Sequence, residues 1–506
     1  MTDAIDRREF QRKLSLMLTG AAVAPLTGCS SKPGETPAGG AERGAASDQG
    51  SGLFSITRGE ADLRVPPDTP ADKSWRYGLI FPFQVAADRA AAFVNIRIRN
   101  GVMAPARNGD DYEVGGDVVL FEDVSGTVTS PPVAVMRNHE EPNPNSTPPN
   151  QPSIMVKYPM RGGFVPAGAK KADGSPHPHA GTGFGINMAI ARHPGDPKSE
   201  SGGGMYEGGE RYSYLELFQF AYNDGQFQVT GSERIPQHEL LPDWFIANGG
   251  LTNAIPDGDD LLVAMSAGRI EKTPQPGDNV TIGGGIMRWQ RKAGTWRPIS
   301  FIQATGNDSS TEASLIRDVD GSLLLSARGS QNRDNHAIRV WRSLDNGGSW
   351  EKIIHVADVI SSSPITLNQA ADGTPYIASN IFMVPLDSIP KRFRIPADKQ
   401  GRVRGGGWTR QKLYLWPLTE DRSGLQAPIL GRHCKADFGP APSGSMWRAD
   451  HPVAATVRLA DGKWHNIMGY RIHDDVESHD LEAPPQTGAY LEEVVSAGEP
   501  IPTWNF

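Results

Sequence analysis

Cysteine is nearly missing from this chain of 506 residues: there are two, Cys29 and Cys434. Helix signals are scarce as well, while glycine (57) and proline (41) are abundant, so turns should be dense and the fold mostly β. An excess of basic charge is also lacking. The formal net charge is −8, which argues against a general nucleic-acid binder but leaves room for a locally basic pocket. The apolar run at 14–26, 13 residues long, is too short to span a bilayer.

The N-terminus reads as a targeting segment to be left out of the fold. Arg7-Arg8-Glu9-Phe10-Gln11-Arg12-Lys13 resembles a twin-arginine export signal, and Leu26-Thr27-Gly28-Cys29 resembles a bacterial lipobox. The expectation is a signal peptide over 1–28, with cleavage before Cys29 and acylation of Cys29, which gives a membrane partner. Residues 29–52, rich in Ser, Gly, Ala and Pro, then form a lipid-tethered flexible linker. Ser30 suits outer-membrane sorting, so the expected product is an exported bacterial lipoprotein of the outer membrane, on the periplasmic or cell-surface side. With Cys29 lipidated, Cys434 has no disulfide partner and reads as a small core or loop residue. Twin-arginine export carries folded proteins, which suits a fold without disulfides. Residues 53–506 contain no further linker and read as one unit.

That unit is organised around residues 311–354. Two apolar runs flank Asp320-Gly321, a third covers 338–341, and a fourth follows Asp345-Asn346-Gly347-Gly348. Four short strands in about 40 residues are the size of one propeller blade. The last turn lies in Ser343-x-Asp345-x-Gly347-x-x-Trp350, a complete Asp-box. There the Asp accepts backbone N–H bonds, the Gly permits the tight backbone and the Trp packs beneath the next strand. The box is a structural turn. Apolar runs around an Asp-Gly turn recur at 253–264, 363–378 and 452–468. Residues 287–296 hold a degenerate box, and 412–418 an outer strand without one. Residues 117–122, 185–191 and 214–222 read as further blade strands. The expected fold is all-β, a six-bladed β-propeller with long inserted loops, seven or five blades being the alternatives. The Asn-, Pro-, His- and Gly-dense segment 137–184 is expected to be a loop over the pocket face, and 194–210 a second long loop.

The Asp-box, the hairpin repeat and the pair Glu312 and Arg328, sixteen residues apart, resemble the sialidase superfamily of six-bladed propellers. The likeness is clear over about 250–420. It implies that Glu312 assists a tyrosine nucleophile and that Arg328 belongs to an arginine trio gripping the substrate carboxylate. Ser379-Asn380 resembles the pair that precedes another trio member, for which Arg410 is the choice over Arg402 and Arg404. Phe393-Arg394-Ile395-Pro396 resembles the family's opening Arg-Ile-Pro string but stands out of order. The first blade offers Arg97, Arg99 and Arg107 instead, with Arg99 preferred. Asp111, or its neighbour Asp110, could supply the acid/base carboxylate. The final blade has Asp450-His451-Pro452-Val453 where a tyrosine is expected, and Tyr470, after the turn, is the candidate catalytic tyrosine. The chemistry explains the set: arginine forks pair bidentately with carboxylates, and a neutral tyrosine avoids repelling an anionic sugar.

The resemblance implies an exported glycoside hydrolase acting on a terminal acidic sugar, with an acidic oligo- or polysaccharide as partner and no nucleic acid. A polysaccharide lyase on uronic acids needs the same arginine but a histidine or tyrosine base. For that base His139, His177, His179 and His451 are candidates. A non-catalytic propeller that binds glycans or proteins is the third reading. No cofactor is expected. His139 with His177 and His179 has no recognised zinc spacing, and Asp257-Gly258-Asp259-Asp260 could hold a structural Ca²⁺ or simply turn a hairpin.

Overall fold

The computed structural model describes residues 54–506 apart from a set of segments, chiefly 59–62, 99–111, 193–211, 271–281, 330–336, 357–363, 381–393, 396–403 and 475–485. The expected signal peptide, Cys29 and the linker lie outside the described residues, as do Arg99, Arg107, Asp110, Asp111, Arg402 and the 194–210 segment.

Six sheets are laid down in chain order. β1 (Phe54–Arg58) comes first but belongs to the last sheet. Blade one is β2 (Trp75–Ala86), β3 (Arg89–Ile98), β4 (Tyr112–Phe121) and β5 (Val133–Arg137). Blade two comprises β6 (His139–Asn143), β7 (Gln151–Lys157), β8 (Arg161–Val165), β9 (Thr182–Arg192), β10 (Ser213–Asn223) and β11 (Gln226–Ile235). Here β7 and β8 both pair with β9 and together make one broken inner strand. Blade three sets β12 (Trp244–Ala247) and β13 (Ile255–Asp257) against β14 (Asp260–Arg269), followed by β15 (Gly283–Lys292) and β16 (Thr295–Gln303). Blade four is β17 (Ser310–Arg317), β18 (Leu323–Gly329), β19 (Ile338–Ser343) and β20 (Glu351–Val356).

Blade five is β21 (Thr366–Gln369), β22 (Pro375–Ser379), β25 (Lys412–Pro417) and β26 (Ile429–His433). A two-stranded ladder, β23 (Arg394–Ile395) and β24 (Arg404–Gly405), is inserted between β22 and β25. The short α1 (Cys434–Phe438) leads to blade six: β27 (Trp447–Arg458), β28 (Trp464–Asp474), β29 (Gly488–Ser496) and, outermost, β1. Pairing of β1 with β29 joins the start of the unit to its end and closes the ring. Around that ring β2 touches β8 and β27, β17 touches β13 and β21, and β21 touches β27. These are the inner strands.

The sequence pattern explains the layering. Most of β2 is buried continuously, as a strand covered on both faces must be, whereas β11 is largely exposed and polar. The core lies between the faces of neighbouring blades. One cluster joins Phe184 and Met188 of blade two to Trp289 and Trp296 of blade three, and another joins Tyr376 and Leu415 of blade five to Met468 of blade six. Trp289, Trp296, Trp416 and Trp447 are almost wholly buried. Each removes roughly 200 Å² from water, about 5 kcal/mol at 25 cal/mol per Å². Polar bonds stitch blade to blade: Gln84 to the Arg458 carbonyl, Tyr376 to Asn466 (2.9 Å) and Arg422 to Asp318 (2.7 Å).

The Asp-Gly turns at 257–258, 320–321, 372–373 and 461–462 all join an inner strand to its neighbour. The Asp-box closes the β19–β20 turn. Asp345 accepts from the Ser349 backbone N–H (2.8 Å) and from the Ser343 hydroxyl (2.7 Å), and Trp350 donates to the Gly347 carbonyl (3.1 Å). These bonds hold the Asp345 carboxyl down at a pKa of about 2. One expectation needs correction. Segment 137–184 is not a loop over the pocket but contains β6, β7 and β8, with the broken inner strand of blade two. Its prolines fall at turns and at the sheet's edge. Among the described residues no helix is long and apolar enough to cross a membrane.

Candidate functional site

Every inner strand whose hairpin turns at one end of the ring begins at the other end. Glu312 stands near the start of β17, and Asp450 and His451 near the start of β27. Both strands carry an extra residue there. Register slips by one between Thr311 and Ser314 and again between Asp450 and Val453. β2 repeats the irregularity between Tyr77 and Ile80. Such bulges bend a strand and re-aim its side chains. Glu312 (φ 51°) and His451 (φ 55°) both take left-handed backbone conformations, at a cost of order 1–3 kcal/mol each.

The two bulges meet. His451 Nε2 lies 3.4 Å from Glu312 Oε1, and His451 Nδ1 lies 2.9 Å from Asp450 Oδ1. Arg328, paired with Thr311 across β17 and β18, reaches Glu312 Oε2 at 2.7 Å. Arg471 occupies the equivalent place in blade six, opposite Asp450, and donates to both Asp450 oxygens. Arg410 completes the set at 2.6 Å from Asp450 Oδ2. A chain of charges therefore runs from Arg410 and Arg471 through Asp450, His451 and Glu312 to Arg328. Asp450 is fully buried, while the Glu312 and Arg328 side chains keep 21% and 25% of their surface exposed. The reachable end of the chain is thus Glu312 with Arg328.

The electrostatics follow from the partners. Burial disfavours the Glu312 carboxylate, but Arg328 and His451 outweigh it and hold its pKa below the usual carboxylate range. Asp450 is likewise held well below its ordinary value, its burial overcome by His451 and Arg410. Burial pushes the His451 pKa down, yet Asp450 and Glu312 on either side raise it overall. Arg410 has its pKa lowered by burial and by the neighbouring Arg448 and Arg328. Arg328, Arg410, Arg448 and Arg471 thus stand around the two carboxylates Glu312 and Asp450, with His451 between them. Such a site can hold an anion and move a proton along the Glu312–His451–Asp450 line.

The expected residues fall into three groups. Glu312, Arg328, Arg410 and His451 come together. Tyr470 does not join them, which corrects its nomination as a catalytic residue. Strand alternation points it to the face of β28 opposite Arg471, where it is fully buried and stacks on Tyr490 at 5.9 Å. Burial and Glu492 push its phenol pKa far up. His139 sits on blade two with Glu141 (2.8 Å) and Arg234 (3.0 Å), with no contact to the Glu312 cluster among the described residues. His177 and His179 wedge beside the Asp257–Gly258 hairpin, His177 lying 3.3 Å from the Gly258 carbonyl and His179 packing edge-on against Trp296. That is the opposite end of the inner strands from Glu312.

Asp257 pairs with Arg288 and Arg317, and Asp260 with Arg288, so these carboxylates are engaged by arginines. No group of three or more His, Cys, Asp or Glu is placed to hold a metal among the described residues. Cys434 is buried, its thiol pushed up to about 12.

Sequence reasoning passed over Asp450, Arg471 and Arg448. Asp450 acquires its role only through contacts made across the fold, with Arg410, Arg471 and His451. Its signal was an Asp-His pair at the start of the last inner strand, the same level at which β17 offers Glu312.

No protein-family model matches the chain, and no curated protein matches it. Solved structures do resemble it. A protein of unknown function from Dyadobacter fermentans aligns at 13% identity and a TM-score of 0.47, covering 87% of this chain and 98% of that one. A mutant of Trypanosoma rangeli sialidase displaying trans-sialidase activity aligns at 12% identity and a TM-score of 0.46, and a mutant of NanB sialidase from Streptococcus pneumoniae at 10% and 0.43. The chain spans 58% of the length of the first of these two sialidases and 70% of the second. The assignment of the fold rests on the strand topology itself: a six-bladed β-propeller.

Proposed function

We propose that the protein is a glycan-active enzyme that takes an acidic sugar at the Glu312 end of the propeller. The observation that carries this reading is the contact between Glu312 and His451 inside a ring of arginines. Arg328 and Arg410 supply the charge that a sugar carboxylate needs, and each charge-assisted bond is worth roughly 1.5–3 kcal/mol. Hydrolysis of a terminal acidic sugar is the first reading. In it Glu312 is ionised and exposed enough to accept a proton. An attacking water gives its proton to Glu312 while His451, oriented by Asp450, gives its own to the leaving oxygen as the glycosidic bond breaks, and the pair resets by passing the proton from Glu312 to His451.

The His451 contact also favours a second reading. A histidine beside arginines can remove the acidified α-proton of a uronate, with β-elimination in place of hydrolysis. The two differ in product. Incubating the full chain with sialylated and uronate-containing glycans should release a saturated acidic sugar under the first reading. A new double bond, seen as ultraviolet absorbance, establishes the second. Inertness on the whole panel overturns both and leaves a binding propeller.

A further inference from the structure

The two proton carriers of the site stand on one side of any sugar they act on. His451 Nε2 lies 3.4 Å from Glu312 Oε1, and Asp450 holds the other ring nitrogen, Nδ1, at 2.9 Å. Nε2 is therefore the working nitrogen, and it works where Glu312 does. The geometry points to a syn elimination. Its substrates are uronates linked through O4 whose C5 hydrogen and C4 oxygen share one face of the ring, the gluco and manno configurations. This rests on the second reading of the site, elimination, and adds the stereochemical class of its substrate.

Three observations carry it. First, groups that act on opposite faces of a sugar ring stand roughly 6.5–9.5 Å apart, with the reacting atoms between them. Glu312 and His451 touch, so no ring fits between them. Second, the contact is built into the backbone. Both residues sit in bulges at positive φ, on strands of different blades, and bulges re-aim side chains. Third, the other candidate proton carriers are elsewhere. Tyr470 stacks on Tyr490 in the core, and His139 is held on blade two by Glu141 and Arg234. His177 and His179 lie beside the Asp257–Gly258 hairpin, at the opposite end of the inner strands. An anti elimination needs an acid facing the base from across the ring, and none of these residues supplies it.

The sugar carboxylate acidifies the C5 hydrogen once a cation offsets its charge, a part that falls to Arg328 beside Glu312. That hydrogen passes as a proton to His451 Nε2. The electrons of the C5–H bond form the C4=C5 double bond, and the C4–O4 bond breaks with its pair on O4. His451 then returns the proton to O4 from the same side, and the Glu312 carboxylate offsets the imidazolium between the two steps. No other reactant is consumed. In D-glucuronate and D-mannuronate the C5 hydrogen and O4 lie on one face. In D-galacturonate and L-guluronate they lie on opposite faces, so a base at the C5 hydrogen leaves O4 out of reach.

Four homopolymers linked through O4 serve as probes: polyglucuronate, polymannuronate, polygalacturonate and polyguluronate. The full chain is mixed with each, and the initial rate of ultraviolet absorbance from the C4=C5 bond is measured. Polyglucuronate, polymannuronate or both should react about 100-fold or more faster than the other two, the cost of a misplaced reacting group. The signal should vanish in His451→Gln, with a melting curve to show that the variant is folded; a signal kept there overturns the inference. Equal or faster elimination on polygalacturonate or polyguluronate also overturns it, while the elimination reading stands. No absorbance from any of the four overturns it together with that reading, and a saturated acidic sugar released from sialylated glycans then identifies hydrolysis.

Discussion

His451 Nε2 meets Glu312 Oε1 at 3.4 Å, and each residue sits in a bulge at positive φ on a different inner strand. Two strained residues brought together from blades four and six are costly to keep for packing alone. Glu312→Gln is expected to lower turnover about 10²–10⁴-fold, the usual contribution of a positioned proton-transfer group. The thermal midpoint should fall as well, because the neutral amide can still accept from Arg328 but loses the charge attraction to Arg328 and His451. Steady-state assay beside a melting curve checks both halves.

Stability should have a plateau bounded by this cluster. Glu312 and Asp450 have lowered pKa values, so their contribution is complete above the unfolded values of about 4 and is lost on acidification. His451 has a raised pKa, so its contribution is complete below about 6.5 and is lost as pH climbs through the folded value. Denaturant midpoints measured across pH should therefore fall on both sides of mildly acidic conditions. In His451→Gln the alkaline fall should shrink.

Asp450 accepts from Arg410, Arg471 and His451 while fully buried. Replacing it with Asn leaves two guanidinium groups facing a neutral amide. A loss of about 3–5 kcal/mol is expected, the cost of breaking a buried ion pair from one side. Urea unfolding gives the value directly, and activity should fall with it because His451 loses its orienting partner.

The Asp-box should affect stability without affecting chemistry. Gly347 has φ 96°, and a Cβ there would lie 2.3 Å from Ile286 Cδ1 of blade three. Gly347→Ala is expected to cost about 1–3 kcal/mol through strain and overpacking. At a temperature where the variant stays folded, kcat/KM should match the wild type.

Much of the ring was legible in the chain because its signals are local. Asp320-Gly321 and the Asp-box each complete their bonds within a few residues, so the hairpins of blades three to six could be read directly. Blade two could not. Its inner strand is split between β7 and β8 around residues 158–160, and its prolines look like loop. At the site, Glu312 and Arg328 were visible as a spaced pair on one hairpin. The part supplied by another blade was only half visible: His451 was noted as a candidate base, but its pairing with Glu312 and the role of Asp450 depend on contacts across more than a hundred residues. Residue type alone does not place Tyr470 at the site, because strand phase decides which face it occupies. One position along β28 separates the core face from the face that carries Arg471.

The central claim is that Arg328 and its neighbours recognise a sugar carboxylate at Glu312. The most direct measurement compares kcat/KM for one acidic glycan and its carboxyl-reduced analogue, in wild type and in Arg328→Gln. A wild-type preference for the acid of about 10–100-fold is predicted, the worth of one lost charge-assisted bond, with most of it gone in the variant. Equal processing of the neutral analogue by the wild type would contradict it.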